Sequence, residues 1–151
     1  MRVTTDARVG DTAASLDRLA TALARARFDT VVILIGINDP IDGRTNDPFV
    51  TFLRIRRLVA RARASGADVL VLTLLPTTRV HPPRPRFDFD RFGDRVSRLI
   101  MARWGRECGR VRARDLRQAV QLIGIDRLLA DGLHPNELGT RAIARLVSRW
   151  L

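Results

Sequence analysis

Asn38, Asp131 and His134 are the residues of this 151-residue chain whose types and spacing point to chemistry. Asn38 stands in "ILIGINDP", where Gly36-Ile37-Asn38-Asp39 leaves directly from the apolar run "TVVILIG" (30–36). A carboxamide at the end of a buried strand can donate N–H to a developing oxyanion, a contribution of about 3–4 kcal/mol in hydrolytic sites. Gly, Asn, Asp and Pro are also turn formers, so a plain turn competes for the same residues. Asp131 and His134 stand three apart in "LLADGLHPNELG". A carboxylate beside an imidazole fixes its tautomer and stabilises the imidazolium, which lets the histidine act as a general base. The competing reading is an Asp-Gly turn with an incidental histidine, Pro135-Asn136 beginning a helix.

The elements that would carry these residues follow from periodicity. "RVTT" (2–5) predicts a short strand, and residues 12–26 a helix with Leu16, Leu19, Ala20 and Leu23 on one face. The β-branched and aliphatic run 30–36 suits a strand covered on both faces. A second helix is expected over 46–64, apolar at Phe52, Ile55, Val59 and Ala62 and ended by Ser65-Gly66. "DVLVLTLL" (68–75) predicts a second buried strand, running into a Pro- and Arg-rich loop at 76–86. Residues 87–107 predict a helix through Phe89, Phe92, Val96, Leu99 and Ile100, and 110–116 an edge strand. After a less regular stretch, 137–150 predicts a last helix with Ile143, Leu146, Val147 and Trp150 on its buried stripe. Strands alternating with helices imply right-handed crossovers and a parallel sheet with helices on both faces, in one domain over 1–151. Sites in such folds form at the carboxyl ends of the strands, where Asn38 is placed.

Gly-x-Asn-Asp after a buried strand, paired with Asp-x-x-His-Pro before the last helix, resembles the SGNH hydrolases, also called GDSL esterases and lipases. The resemblance runs in order along nearly the whole chain. It implies a three-layer α/β/α sandwich of flavodoxin-like kind and acyl transfer from a serine. In that family Ser is the nucleophile on a Gly-Asp-Ser block after the first strand, while a Gly N–H and an Asn side chain form the oxyanion hole. Carried over, Asn38 is the oxyanion amide, His134 the base and Asp131 its orienter. Gly36 and Asp39 support the first loop, and Pro135 and Asn136 the start of the last helix. The substrates implied are small-molecule, lipid or sugar esters, with no cofactor and no metal.

Gly10-Asp11-Thr12 looks at first like the nucleophile block with Thr for Ser. It is followed at once by the helix "AASLDRLATALARA", and one helix and one strand later comes Asn38. That spacing matches the family's second block, which makes Gly10 the oxyanion glycine and Asp11-Thr12 a helix cap. Thr12 and Ser15 are then only weak candidates for the nucleophile. Ser65 precedes a strand, and Ser97 and Ser148 lie within helices, so none has the strand-to-loop setting that the chemistry needs. The expectation is a family member shortened at its amino end, lacking the first strand and its serine, and inactive by itself.

Composition narrows the alternatives. All 27 basic residues are Arg, and the formal net charge is +11. A non-catalytic module on the same fold, holding nucleic acid or another anionic polymer, is the alternative; it predicts salt-sensitive binding indifferent to Asn38 and His134. Tyr is absent and aromatics are 5%, so stacking platforms are scarce and specific nucleic-acid recognition is not expected. The arginines are spread over several helices and fit solvated faces. A plain flavodoxin-like domain without chemistry is a third reading, although no Gly-rich phosphate loop supports a nucleotide role. The lone Cys108 implies packing rather than a disulfide, and His81 an exposed loop residue. The chain shows neither a signal-peptide pattern nor an apolar run of the ~20 residues needed to span a bilayer.

Overall fold

The computed structural model describes Thr4, Arg8 and residues 10–14, 16–41, 45–78, 87–106 and 109–151. The short strand expected at 2–5, the loop residues 79–86 with His81, and Ser15 and Cys108 lie outside those residues, Thr4 excepted.

Among the described residues three strands form one parallel sheet in the order β1 (Thr30–Ile33), β2 (Asp68–Leu72), β3 (Val111–Arg114). The register pairs Val32 with Leu70 and Leu70 with Arg112. Alternation along β2 divides the core. Val69 and Val71 face one side, against α2 (Pro48–Ala64) and α3 (Phe89–Trp104), while Leu70 and Leu72 face the other. The first core holds Phe52, Ile55, Val59, Ala62, Phe92, Val96 and Ile100, and Leu23 of α1 (Leu16–Arg25) packs against it. The second core gathers Leu116 and Val120 of α4 (Leu116–Ile123) and Leu128 of the single turn α5 (Ile125–Leu128). The half-buried stripe Ile143, Leu146, Val147 and Trp150 of α6 (Glu137–Trp150) closes it. Helices on both faces of a parallel sheet make the expected three-layer α/β/α sandwich.

Several boundaries differ from expectation, each for a local reason. α2 begins at Pro48 rather than 46 because Asp47 caps it, accepting from Phe49 N. Asp88 caps α3 in the same way, which moves its start from 87 to 89. The stretch after β3 is more regular than expected. Asp115 accepts from Gln118 N to start α4, and Gly124 at φ +100° ends it. The helix expected from 12 begins at Leu16, since the backbone at 11–13 is tied to the Asn38–Asp39 turn instead.

The first strand is also shorter than its apolar run, ending at Ile33, and it is not covered on both faces. Ile33 is buried in the first core, but Val32 and Leu34 are 40% and 41% exposed on the opposite side. The second core reaches β2 but not β1. β1 is therefore the outer strand of the described sheet.

Candidate active site

Asn38 is set by the turn that follows β1. Asp39 N donates to Gly36 O at 3.2 Å, closing the turn. Gly36 adopts φ +122°, and a Cβ there would lie 2.9 Å from Thr51 Cγ2, so both conformation and space require glycine. The half-buried Asn38 donates through Nδ2 to Asp11 O at 3.0 Å. A carboxamide has two N–H donors, so this bond fixes the group and leaves its second donor for an oxyanion.

Asp39, fully buried, does the joining. Its carboxylate accepts from Ala13 N (2.7 Å), Thr51 Oγ1 (2.9 Å) and Arg54 Nη1 (2.8 Å). One side chain thus binds the Gly10-Asp11-Thr12 segment, the Asn38 turn and α2 together. Gly10 itself is exposed, with φ +80°, next to the Asp11 carbonyl that Asn38 holds. The cap expected from Asp11-Thr12 involves Ser15, which lies outside the described residues. Asp11 accepts both Arg18 Nη atoms from within α1 and the Arg8 N–H, and the Arg18 bond leads in holding its carboxyl below the usual range. Thr12 is only 5% exposed.

Asp131 and His134 lie on a loop that closes on itself just before α6. Ala130 N donates to His134 O (2.8 Å) and Asn136 N to Leu128 O (2.9 Å). Asn136 then caps α6 by accepting from Gly139 N, and it donates to Arg127 O. Gly139 is what lets α6 come this near, because a Cβ there would fall 2.2 Å from Leu128 O. Pro135 bridges to Leu129. Asp131 accepts from Leu133 N (3.0 Å) and His134 N (2.7 Å) through Oδ1, and its Oδ2 meets His134 Nδ1 at 2.8 Å.

These bonds hold the Asp131 carboxyl well below the usual carboxylate range. The His134 N–H contributes most, then the His134 ring, then the Leu133 N–H. A lowered native pKa stabilises the loop at every pH above the unfolded value of about 3.9, and this support is lost as pH falls below it. Amide protection of Leu133 and His134 is accordingly expected to hold near neutrality and to fall as the solution is acidified below about pH 4.

The loops of both candidate groups leave the same edge of the sheet. Asn38 follows β1, and the Asp131–His134 loop is tied to the segment following β2 by Thr78 N donating to Gly132 O at 2.9 Å. None of the described serines is presented there. Ser65 precedes β2 at the opposite edge and donates to Ala62 O. Ser97 is buried, donating to Gly93 O and accepting from Leu74 N. Ser148 donates to Arg145 O within α6. Among the described residues no three His, Cys, Asp or Glu side chains gather to hold a metal ion, and no helix is long and apolar enough to cross a membrane.

Sequence reasoning missed two residues that hold this edge, Asp90 and Arg117. Asp90 accepts from Thr77 N at 3.0 Å and takes Arg117 Nη2 on both oxygens at 2.7 Å. No motif marks either of them.

Solved structures share this architecture. A GDSL-like lipase from Bacteroides thetaiotaomicron VPI-5482 superposes with a TM-score of 0.78 at 20% identity, covering 93% of this chain and 70% of that one. An acetyl esterase mutant solved with an acetate ion gives 0.67 at 21%, over 92% and 68%. A carbohydrate esterase family 3 member from Talaromyces cellulolyticus gives 0.65 at 20%, over 91% and 65%. The chain thus spans about two thirds of the length of these proteins. No curated protein matches it in sequence. Residues 2–142 match the GDSL-like lipase/acylhydrolase family. With nine tenths of the chain matched and the sandwich in place, the chain belongs to the GDSL-like lipase/acylhydrolase family, and by family it is a carboxylic ester hydrolase.

Proposed function

We propose that this chain supplies the base and the oxyanion hole of a serine ester hydrolase. His134 Nε2 takes the proton of an attacking serine hydroxyl and returns it to the leaving alcohol or thiol. Asp131, already ionised and held against Nδ1, keeps the ring in the tautomer that allows this. The Gly10 N–H and the second Asn38 N–H meet the oxyanion of the tetrahedral intermediate, and water then releases the acid. The substrate is an acyl ester, a thioester or an O-acetyl ester. The observation that carries the reading is the Asp131–His134 pair at 2.8 Å, on a loop tied to the same carboxyl edge of the sheet as an Asn38 amide that a buried carboxylate fixes to the Gly10 segment.

The attacking hydroxyl is none of the described ones, given the settings of Ser65, Ser97, Ser148 and the buried Thr12. The described residues thus offer no attacking serine, and the purified chain is expected to act on esters no more than an oxyanion hole alone confers. A fluorophosphonate probe, which reacts with activated serines, tests this directly. The purified chain is expected to stay unlabelled. Stoichiometric labelling would overturn the assignment, and mapping the adduct, to Ser15 for example, would name the nucleophile.

A further inference from the structure

We infer that Asp90 and Arg117 are positioning residues for the His134 loop, acting on it through Pro76, Thr77 and Thr78. The inference rests on His134 being the base. Two neighbouring backbone N–H groups carry it. Thr77 N donates to Asp90 Oδ1 in the first turn of α3, and Thr78 N donates to Gly132 O in the His134 loop. Pro76, buried beside them, has no N–H to offer. The segment is thus a bridge with one end fastened to a helix and the other to the loop.

Asp90 is itself held from behind. Arg117 Nη2 lies 2.7 Å from both its oxygens, a charge-assisted contact, and the arginine side chain is 12% exposed. Arg117 Nη1 is buried with no hydrogen-bond partner, and Asp94 is 3.9 Å from Nε, so Asp90 is the principal anchor of this guanidinium. The backbone of Arg117 is fixed in turn, its N–H donating to Thr73 Oγ1, which donates to Asp115 Oδ1. Thr73 is fully buried at the end of β2. The rigid carboxyl end of the sheet is thereby connected to Gly132, one residue from Asp131.

The loop needs such a tie. Leu129 and Leu133 anchor the loop in the core, but the Asp131 and His134 side chains are 52% and 62% exposed, so their placement follows the backbone between them. The loop's own bonds, Ala130 to His134 and Asn136 to Leu128, join it to α5 and α6 but not to the sheet that carries Asn38. A base and an oxyanion donor must be held to within roughly 0.5 Å of each other's productive placement. Among the hydrogen bonds of the described residues, Thr78 N to Gly132 O links the two, and Asp90 with Arg117 sets where Thr78 lies.

The test uses the whole isotope-labelled chain, with Asp90→Ala and Asp90→Asn, read by amide exchange and by the ring nitrogen signature of His134. Asp90→Ala is expected to speed exchange at Thr78 by about tenfold or more and to blur the single His134 tautomer, while Val69 and Val71 in β2 exchange as before. Asp90→Asn keeps an oxygen acceptor for Thr77 N but loses the charge that holds Arg117, and is expected to fall between the wild type and Asp90→Ala on both readouts. Unchanged Thr78 exchange and an unchanged ring signature in Asp90→Ala would overturn the inference. So would acceleration shared equally by Thr78, Val69 and Val71, which would mean global loosening only. Neither result bears on whether His134 is the base, which a nucleophile-bearing form of the chain tests separately.

Discussion

Replacing Asp39 with alanine is expected to cost about 3–5 kcal/mol of stability, enough to unfold much of a domain whose total is about 5–15 kcal/mol. The carboxylate is fully buried and accepts three hydrogen bonds, from Ala13 N, Thr51 Oγ1 and Arg54 Nη1. Truncation leaves the Ala13 N–H and the Thr51 hydroxyl without their acceptor, and removes the carboxylate that lies 2.8 Å from a guanidinium whose side chain is only 19% exposed. Most of the loss comes from those abandoned partners rather than from the attraction itself. Removing Arg54 as well, in Asp39→Ala/Arg54→Met, is therefore expected to recover part of the stability. Urea unfolding of the two variants and the wild type decides it. A shift of less than about 1 kcal/mol in Asp39→Ala would mean that the three contacts are not made as described. The functional consequence follows from geometry. Asp39 binds Ala13 to the turn that presents Asn38, so its loss separates the two donors assigned to the oxyanion even where the fold survives.

How much of this was legible beforehand depends on whether the cause is local. The strands showed in "TVVI" and "DVLVL", and the apolar spacing of α2, α3 and α6 gave their inward faces, because 3.6-residue and two-residue periods are properties of neighbouring residues. The Asp131–His134 pair was legible for the same reason, being three residues apart on one loop. The rest depends on partners brought together by packing. Asp39 reaches Ala13 26 positions away and Arg54 15 away, and Arg117 reaches Asp90 across 27, with no pattern to announce any of them. The same holds for Asp11, whose carboxylate takes Arg18 from seven residues on, and for Ala13 N, which goes to Asp39. The run 30–36 misled on cover, since apolar character marks what a strand can bury and not whether a neighbour reaches it. Val32 and Leu34 stay about 40% exposed because the α4–α6 layer reaches β2 but not β1.

That uncovered strand supports the second large effect. A chain extended at its amino end by an apolar strand that closes in Gly-Asp-Ser is expected to gain esterase activity and stoichiometric fluorophosphonate labelling. The family resemblance puts such a strand in the interior of the sheet, beside the stretch 2–5, and β1 is the outer strand of the described sheet, with an edge to receive it. A parallel strand is ordinarily flanked on both sides and covered on both faces, whereas among the described residues β1 pairs only with β2 and leaves Val32 and Leu34 exposed on one face. A strand paired at β1 ends at the same carboxyl edge as Asn38, the edge to which the His134 loop is tied. In that extended chain, His134→Ala is expected to lower kcat by about 10⁴ or more, because base and nucleophile act as a unit. Asn38→Ala is expected to cost about 10²–10³ in kcat with little change in KM, the loss of one donor made to the transition state. An extended chain that folds, labels poorly and hydrolyses no ester would place the serine's partner elsewhere. One that is fully active with His134→Ala would remove His134 as the base while leaving the oxyanion assignment to the Asn38 variant. The two substitutions separate the halves of the site because they act on different steps. As proposed, His134 acts in making the nucleophile, whereas Asn38 acts only once the oxyanion has formed.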